Sequence, residues 1–301
     1  MSTVLLSGAS GFIGFHVARS FAADGFRVVP LVRRRPSSPH TVAWDPEAGV
    51  IDGDALARAA PDVVINLAGE PIAQRWTTRR RQRIRDSRVR GTTTLSKALC
   101  ELSTKPKVFL SGSAIGYYGA NRGDELVDEE STAGSDFLAQ TALDWEHATE
   151  SAVGAGIRVV LLRTGIVLGR EGGVIARLSL PFRLGIGGRL GSGKQWMSWI
   201  ALDDIVRAIH FAAVQSTFAG PVNLVAPQAA TNAEFTKVLA RVLHRPAVLP
   251  VPRIALEMLF GTMADNTILA SQRVLPKRLA GGGFEFRHPR LEEALRFELT
   301  R

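Results

Sequence analysis

Short segments in which nearly every residue is apolar recur through the first two thirds of the chain. They do not alternate between apolar and polar residues, as half-exposed strands do. Continuous apolar runs of this length are typical of strands that are covered on both faces of a parallel sheet. The predicted strands are Val4–Ser7, Arg27–Val32, Asp62–Leu67, Lys107–Ser111 and Arg158–Arg163, with a further candidate at Val222–Val225.

Segments with helical periodicity lie between these strands. In Ser10–Ala23, apolar Ile13, Val17 and Phe21 recur every four residues and place an apolar stripe on one face. Other helices are predicted at Thr78–Leu102, at Asp136–Ala155 and from Asp203, a good N-cap residue. Alternating strands and helices predict an α/β fold, namely a Rossmann-type doubly wound parallel sheet.

The chain after residue 225 has a mostly helical pattern. Asn232 reads as an N-cap, and apolar residues follow it at helical spacing. Further helices are predicted at Ile254–Phe260, at Asp265–Leu275 and from Pro289, a residue suited to the first helical position.

This change of pattern predicts two regions. We expect a Rossmann-type domain over residues 1–225 and a smaller, mostly helical C-terminal lobe over residues 226–301. Residues 170–200 are expected to contribute to the substrate side of that lobe.

Composition narrows the class of protein. The chain has 301 residues, of which 46% are hydrophobic and 22% charged, as in globular proteins. A single cysteine, Cys100, excludes a disulfide framework and a cysteine-rich zinc site, and no metal is expected. No apolar run reaches the length of a membrane span, and the first residues lack the basic region of a signal peptide. We therefore expect a cytoplasmic protein without membrane contact.

The net charge of +9 raises nucleic acid as a partner. Seven of the twelve residues from 79 to 90 are arginine, but no aromatic residues that could stack on bases are interleaved with them. Most of these side chains are expected to form a solvated face, and nucleic-acid binding is not expected. One or two, such as Arg85 or Arg88, could reach an acidic substrate or a partner subunit.

Three glycines follow the first predicted strand and open the first helix. Gly8, Gly11 and Gly14 allow backbone to approach a dinucleotide pyrophosphate, which needs unpaired N–H groups at a helix N-terminus. Ser10, Phe12 and Ile13 complete the turn and are predicted to bind cofactor with the glycines. The spacing Gly-x-x-Gly-x-x-Gly resembles that of the short-chain dehydrogenase/reductase superfamily, in its extended, epimerase-like branch.

The end of the second strand distinguishes NAD from NADP. An acidic residue there binds the ribose 2′-hydroxyl, whereas arginine accommodates a 2′-phosphate. No acidic residue occurs between Gly25 and Trp44, and Arg33 and Arg34 follow the strand directly. The guanidinium group suits a phosphate, so NADP(H) is the predicted cofactor, with Arg33 as the first contact and Arg34 as the second.

The resemblance to this superfamily implies further site residues. Leu67, Ala68 and Gly69 correspond to a segment beside the cofactor. Phe109–Ala114 resembles the segment that carries the catalytic serine, which implies a catalytic Ser113 with Ser111 near the cofactor. Arg163, Gly165 and Ile166 correspond to a loop at the nicotinamide end.

The catalytic pair of that superfamily is absent from the sequence. Most members use Tyr-x-x-x-Lys, which places both side chains on one face of a helix. The chain has two tyrosines, Tyr117 and Tyr118, and neither is followed by lysine at that spacing. Either another group transfers the proton, with Tyr117, Tyr118, Glu70 and Arg163 as candidates, or the protein binds cofactor without rapid chemistry.

Nearly the whole chain resembles one group, the atypical NAD-dependent epimerase/dehydratase-like proteins of the "epimerase family", with a C-terminal domain of unknown function. The segments that carry the resemblance are Asn66–Ala73, Ile84–Arg88, Ser113–Gly119, Trp145-Glu146, Gly191–Trp196, Leu275–Leu279 and Gly283–Phe286.

The resemblance implies an NADP(H)-binding oxidoreductase or epimerase-like protein. Its small substrate could be a carbonyl compound, a hydroxyl compound or a sugar nucleotide. The alternative is a non-catalytic NADP(H)-binding regulatory or interaction protein. By analogy with the fold, a homodimer is possible.

Overall fold

The computed structural model describes residues 1–33 and 40–300. The predicted phosphate contact Arg34 therefore lies outside the described residues. No helix within these two ranges is long and apolar enough to cross a membrane.

Within the described ranges, eight strands form the central sheet. In spatial order they are β12 (Gly220–Leu224), β8 (Arg158–Thr164), β6 (Val108–Ala114), β5 (Val63–Asn66), β1 (Thr3–Ser7), β2 (Arg27–Val32), β3 (Val42–Asp45) and β4 (Val50–Ile51). All neighbours are parallel except β3 and β4. β1 and β5 are buried throughout, as their continuous apolar sequences predict. All six predicted strands lie in this sheet.

Helices cover both faces of the sheet. One face carries α1 (Phe12–Ala23) and α7 (Leu202–Val214), and the other carries α2 (Gly53–Ala59), α3 (Thr78–Glu101) and α5 (Glu150–Gly154). β1 illustrates the two layers, because Val4 and Leu6 join the core beneath α1 and α7 while Leu5 joins the core beneath α3. The predicted doubly wound α/β fold is confirmed.

The predicted helix at Asp136–Ala155 is interrupted. It consists of α4 (Phe137–His147), capped by the Asp136 carboxylate, and the separate helix α5. Between them the Thr149 hydroxyl donates to the Glu146 carbonyl at 2.7 Å. A side chain that bonds a nearby carbonyl competes with the helical ladder and favours such a break.

The helix predicted from Asp203 begins one residue earlier. Ala201 is the N-cap of α7, so Asp203 lies in the first turn instead of at the cap. Negative charge is favourable there because the helix dipole is positive at this end.

The C-terminal lobe has its own apolar core. Buried side chains from α6 (Gly173–Arg183), α8 (Asn232–Leu243) and α11 (Leu291–Thr300) meet there with those of β9 (Ile166–Gly169) and β11 (Trp199–Ala201). Its other elements are α9 (Arg253–Phe260), α10 (Lys277–Gly281), β10 (Trp196–Met197) and β13 (Ala230–Thr231). The packing of α6 beside α8 is consistent with the proposed contribution of residues 170–200, although the boundary at 225 stays a prediction.

Three predictions in this lobe were wrong in detail. Thr231, not Asn232, caps α8, and it forms a capping box with Glu234. The final helix begins at Leu291, two residues after Pro289.

The third concerns Asp265–Leu275, which is not one helix. A π-helical turn over Ala264–Ile268 leads into the strand β14 (Ser271–Val274), which pairs in parallel with β7 (Asn121–Val127). The partner strand is about 150 residues away in sequence, so no local pattern indicates the pairing.

Candidate functional site

The three glycines of the first turn lie where the strand order of the sheet reverses. β1 is flanked by β2 on one side and β5 on the other, and ligands of open α/β sheets bind outside the carboxyl ends of strands at such a point. Gly8 has a φ of +71°, and a Cβ on Gly14 would lie 2.1 Å from the Gly8 carbonyl oxygen. Both positions therefore require glycine.

The N-terminus of α1 faces outward from this turn without a side-chain cap. Its N-cap is Gly11, and no side chain accepts a hydrogen bond from the first-turn N–H groups. Phe12 and Ile13 are half-buried, while Ser10 and Gly11 are exposed. Unpaired N–H groups with the positive end of the helix dipole fit a pyrophosphate.

The segment after β5 is fixed to the carboxyl end of β1. The Ser7 hydroxyl donates to Asn66 Oδ1 at 2.5 Å and accepts from the Ala68 N–H at 3.2 Å. Asn66 Nδ2 donates in turn to the Thr92 hydroxyl of α3 at 2.8 Å. These bonds place Leu67, Ala68 and Gly69 beside the glycine turn. Arg33 is exposed and follows β2 directly, at the same end of the sheet.

Ser113, Glu146 and Arg163 form a buried cluster at the ends of β6, α4 and β8. The Ser113 hydroxyl donates to Glu146 Oε1 at 2.6 Å. Arg163 donates through Nε to Oε1 and through Nη2 to Oε2, both at 2.8 Å. Burial opposes the charge on Arg163, but its hydrogen bonds to Glu146 and the charge of that carboxylate outweigh burial and raise the arginine pKa above its ordinary value.

Both tyrosines contact this cluster. The Tyr118 hydroxyl accepts from Arg163 Nη1 at 3.1 Å and donates to Asn223 Oδ1 at 2.8 Å. Tyr118 has no exposed surface, and burial raises the pKa of its hydroxyl to about 12. Tyr117 is partly exposed, and its ring centroid lies 3.4 Å from the Arg163 guanidinium carbon.

The structure thus brings together the predicted catalytic residues Ser113, Tyr117 and Tyr118 with the predicted cofactor residue Arg163. In this arrangement Arg163 is 3% exposed, and its guanidinium is bonded to protein groups. Ser111 is also fully buried. The functional roles predicted for these residues stay predictions.

A cavity of about 180 Å³ opens beside the cluster. Its lining includes Ala114–Gly116 after β6 and Thr164–Ile166 after β8, and therefore the predicted residues Gly165 and Ile166. The C-terminal lobe contributes a further wall, which includes Asn266, Thr267 and Gln272. The cavity therefore lies between the sheet edge and the lobe, at the end predicted to receive nicotinamide.

The helix α4 presents one face to this cavity. Leu138, Thr141, Ala142 and Trp145 line it, and none of them is an acid or a base. Trp145 is held in place because its indole N–H donates to the Thr92 hydroxyl at 2.9 Å.

Glu146 and Arg88 were not assigned as site residues from the sequence. The adjacent pair Trp145-Glu146 belongs to the segments that resemble the family, so the sequence could have marked it as part of the site. In the structure the two side chains point in different directions: Trp145 lines the cavity, and Glu146 bonds Arg163. Arg88 also lines the cavity. The sequence offered it, together with Arg85, as a residue that could reach an acidic substrate or a partner subunit, but gave no way to choose between the two.

Comparison with known proteins agrees with this architecture. The family model "NAD dependent epimerase/dehydratase family" matches residues 4–225, and "Domain of unknown function (DUF1731)" matches residues 251–298. An epimerase family protein of Mycobacterium bovis is 44% identical over 301 residues, which cover 100% of this chain and 98% of that protein. One from Bacillus subtilis is 35% identical and covers 97% of this chain and 96% of its own length.

Solved structures of epimerase proteins have the same fold as this chain. The human epimerase family protein SDR39U1 (isoform 2), crystallised with NADPH, superposes with a TM-score of 0.89 at 31% identity and covers 99% of both chains. A nucleoside-diphosphate sugar epimerase from Corynebacterium glutamicum has a TM-score of 0.82 at 36% identity and covers 99% of this chain but 58% of its own. From the matched family model, the relatives and the fold, we conclude that this chain belongs to the NAD dependent epimerase/dehydratase family.

Proposed function

We propose that this chain binds NADP(H) and uses it in an oxidoreductase or epimerase-like reaction on a small substrate. The observation that carries the proposal is the position of the cavity. It lies at the same edge of the sheet as the uncapped N-terminus of α1, with strand ends β6 and β8 lining it. The glycine turn would hold the pyrophosphate of a dinucleotide, and the cavity lies along the same edge of the sheet.

Specific residues fit the parts of the cofactor. The N-terminus of α1 suits the pyrophosphate, and Arg33 suits the 2′-phosphate of NADP. Leu67, Ala68 and Gly69 would flank the ribose, and Gly165 and Ile166 would lie beside the nicotinamide. The human relative crystallised with NADPH supports this choice of cofactor.

When bound, NADP(H) supplies or accepts a hydride. The chain's own contribution begins with Ser113, whose single hydroxyl proton is directed to Glu146. We infer that the serine lone pairs receive a hydrogen bond from a substrate hydroxyl, although Ser113 is 4% exposed and it is the next residue, Ala114, that lines the cavity. Glu146 remains an acceptor because Arg163 bonds both of its carboxylate oxygens.

Thermal stability in the presence of NADPH, NADP, NADH and NAD at matched concentrations tests the cofactor. A ligand that binds the native state stabilises it in proportion to the logarithm of its concentration over Kd. We expect a clear shift with the phosphorylated pair only. No shift with any nucleotide, in protein free of copurified cofactor, would contradict the proposal.

A second candidate is a non-catalytic NADP(H)-binding regulatory or interaction protein. The face of α4 that lines the cavity has no Tyr-Lys pair, and the Tyr118 hydroxyl is fully buried. Substrate-dependent oxidation of NADPH distinguishes the two functions. Turnover that falls in Ser113→Ala supports the enzyme, whereas tight NADPH binding without turnover across a panel of carbonyl compounds and sugar nucleotides favours the second function.

A further inference from the structure

Arg88 differs from the other arginines of its run. Four of them bond side chains outside the cavity: Arg80 and Arg83 bond Glu70, Arg85 bonds Asp144, and Arg81 bonds Thr262. Arg88 instead donates through Nη1 to two backbone carbonyls, those of Glu70 and Ile84, each at 3.0 Å. Its guanidinium thus borders the cavity without forming an ion pair with a carboxylate among the described residues.

The surroundings of Arg88 favour a bound anion. Among the described residues that line the cavity, Arg88 is the one with a charged side chain. Its guanidinium carbon lies 5.1 Å from the Trp145 ring centroid, and Ile72, Ile84 and Leu138 are further apolar neighbours in the lining. Burial lowers the Arg88 pKa to about 10, and the Glu70 charge acts against this shift, so the group is still a cation at neutral pH.

The nearest carboxylate does not neutralise this cation by contact. Glu70 Oε1 accepts from Arg80 Nη1 at 3.1 Å and from Arg83 Nη2 at 2.9 Å, and none of these three residues lines the cavity. A partly desolvated guanidinium that still has N–H groups to donate binds a carboxylate most strongly, because a carboxylate accepts two parallel hydrogen bonds.

We propose that Arg88 binds the carboxylate of the substrate, and that the substrate is a small oxo or hydroxy carboxylic acid, not a sugar nucleotide. The inference rests on the proposed function, because it assigns the substrate class of that same site. Size supports it: the cavity of about 180 Å³ is smaller than the roughly 300–1,000 Å³ of pockets for drug-sized ligands. The cavity also reaches Ala114 and Gly165, so an acid held by Arg88 would place its other end near the nicotinamide position.

Calorimetric binding to the full chain saturated with NADP tests the proposal without requiring turnover. The probes are 2-oxobutanoate, 3-oxobutanoate and 4-oxopentanoate, each compared with its neutral amide. The series varies the distance from carboxylate to carbonyl. We expect at least one acid to bind, and to bind more tightly than its amide.

Three variants assign the effect to Arg88. Arg88→Gln should weaken binding of the acid about ten- to one-hundred-fold and leave the amide unchanged. Arg88→Lys keeps the charge but not the paired N–H donors, so its affinity for the acid should fall less than that of Arg88→Gln. This variant remains informative if the Gln variant does not fold. Arg85→Gln, three residues earlier on α3 and bonded to Asp144, is the matched control and should bind the acid as the parent chain does.

The possible failures are distinguishable. Equal binding of acids and amides, or no binding of any acid while NADPH still stabilises the protein, overturns the substrate assignment and leaves the proposed cofactor function intact. A loss of NADPH affinity in Arg88→Gln with unchanged acid binding assigns Arg88 to the cofactor instead, and this also overturns the proposal. Absence of NADPH binding by the parent chain contradicts the proposed function itself.

Discussion

Arg163 bonds both carboxylate oxygens of Glu146 at 2.8 Å, although the two residues lie on different elements, β8 and α4. Both side chains are more than nine-tenths buried. The same carboxylate accepts the Ser113 hydroxyl, so one ion pair connects two strands and a helix beneath the cavity. A planar guanidinium matched to a carboxylate fixes the orientation of both groups.

Removal of Glu146 should destabilise the protein strongly. Glu146→Ala leaves the Arg163 cation buried without its partner, and breaking a buried pair in this way costs about 3–5 kcal/mol of unfolding free energy. Urea denaturation measures the change. The control is Glu125→Ala, which removes an exposed partner of Arg122 and should have a far smaller effect. Equal losses in the two variants would show that the buried pair has no special role.

Tyr118 predicts a loss of stability at high pH. Its pKa is raised from 10 to about 12 in the folded protein, because burial favours the neutral hydroxyl. The tyrosine of the unfolded chain ionises near pH 10, so the stabilisation is complete below pH 10 and is lost as pH rises toward 12. Two pKa units correspond to about 3 kcal/mol.

Ultraviolet absorbance and urea midpoints test this expectation. One of the two tyrosines should ionise only near pH 12, and Tyr118→Phe should remove that phase and reduce the alkaline loss of stability. Tyr117→Phe is the control and should retain the phase. If the late phase disappears in Tyr117→Phe instead, the assignment to Tyr118 is wrong.

Substitution of Gly14 should reduce both packing and cofactor binding. A Cβ at this position would lie 2.1 Å from the Gly8 carbonyl oxygen, so Gly14→Ala must displace the turn that faces the pyrophosphate. We expect a lower melting temperature and loss of the stabilisation by NADPH.

Gly154 provides the matched control. It lies in α5, and a Cβ there would meet no atom within 4 Å. Gly154→Ala should keep NADPH binding and leave stability close to that of the parent chain, because Gly154 is the last residue of α5, where helix propensity has little effect. An NADPH response in Gly14→Ala equal to that of Gly154→Ala would contradict the assignment of the glycine turn.

Arg33 predicts the preference for the phosphorylated cofactor. Arg33→Asp should reduce the thermal shift with NADPH much more than the shift with NADH, because an acidic residue repels the 2′-phosphate and accepts from a 2′-hydroxyl. Arg58→Asp makes the same charge change at an exposed position of α2 and is the control. Equal losses for both cofactors in Arg33→Asp would remove Arg33 from the 2′-phosphate site.

Most of the correct predictions rested on patterns among residues that are close in sequence. The strands of the sheet and the helix α1 were predicted because burial on two faces and helical amphipathicity each leave a local pattern. The glycine turn was predicted because the requirement for glycine at Gly8 and Gly14 arises within one seven-residue segment, where a Cβ on Gly14 would clash with the Gly8 carbonyl. The strand β14 was missed because four residues paired to a distant strand leave no such pattern.

The sequence by itself determined the doubly wound class of fold, the position of the glycine turn and the absence of a Tyr-x-x-x-Lys pair, since these follow from local periodicity, spacing and counting. Only the tertiary structure decided that Glu146 joins Arg163 and Ser113, and that Arg88 is the one arginine of its run that lines the cavity. The direction in which a helical side chain points depends on how the whole helix is packed, and that packing is set by residues remote in sequence.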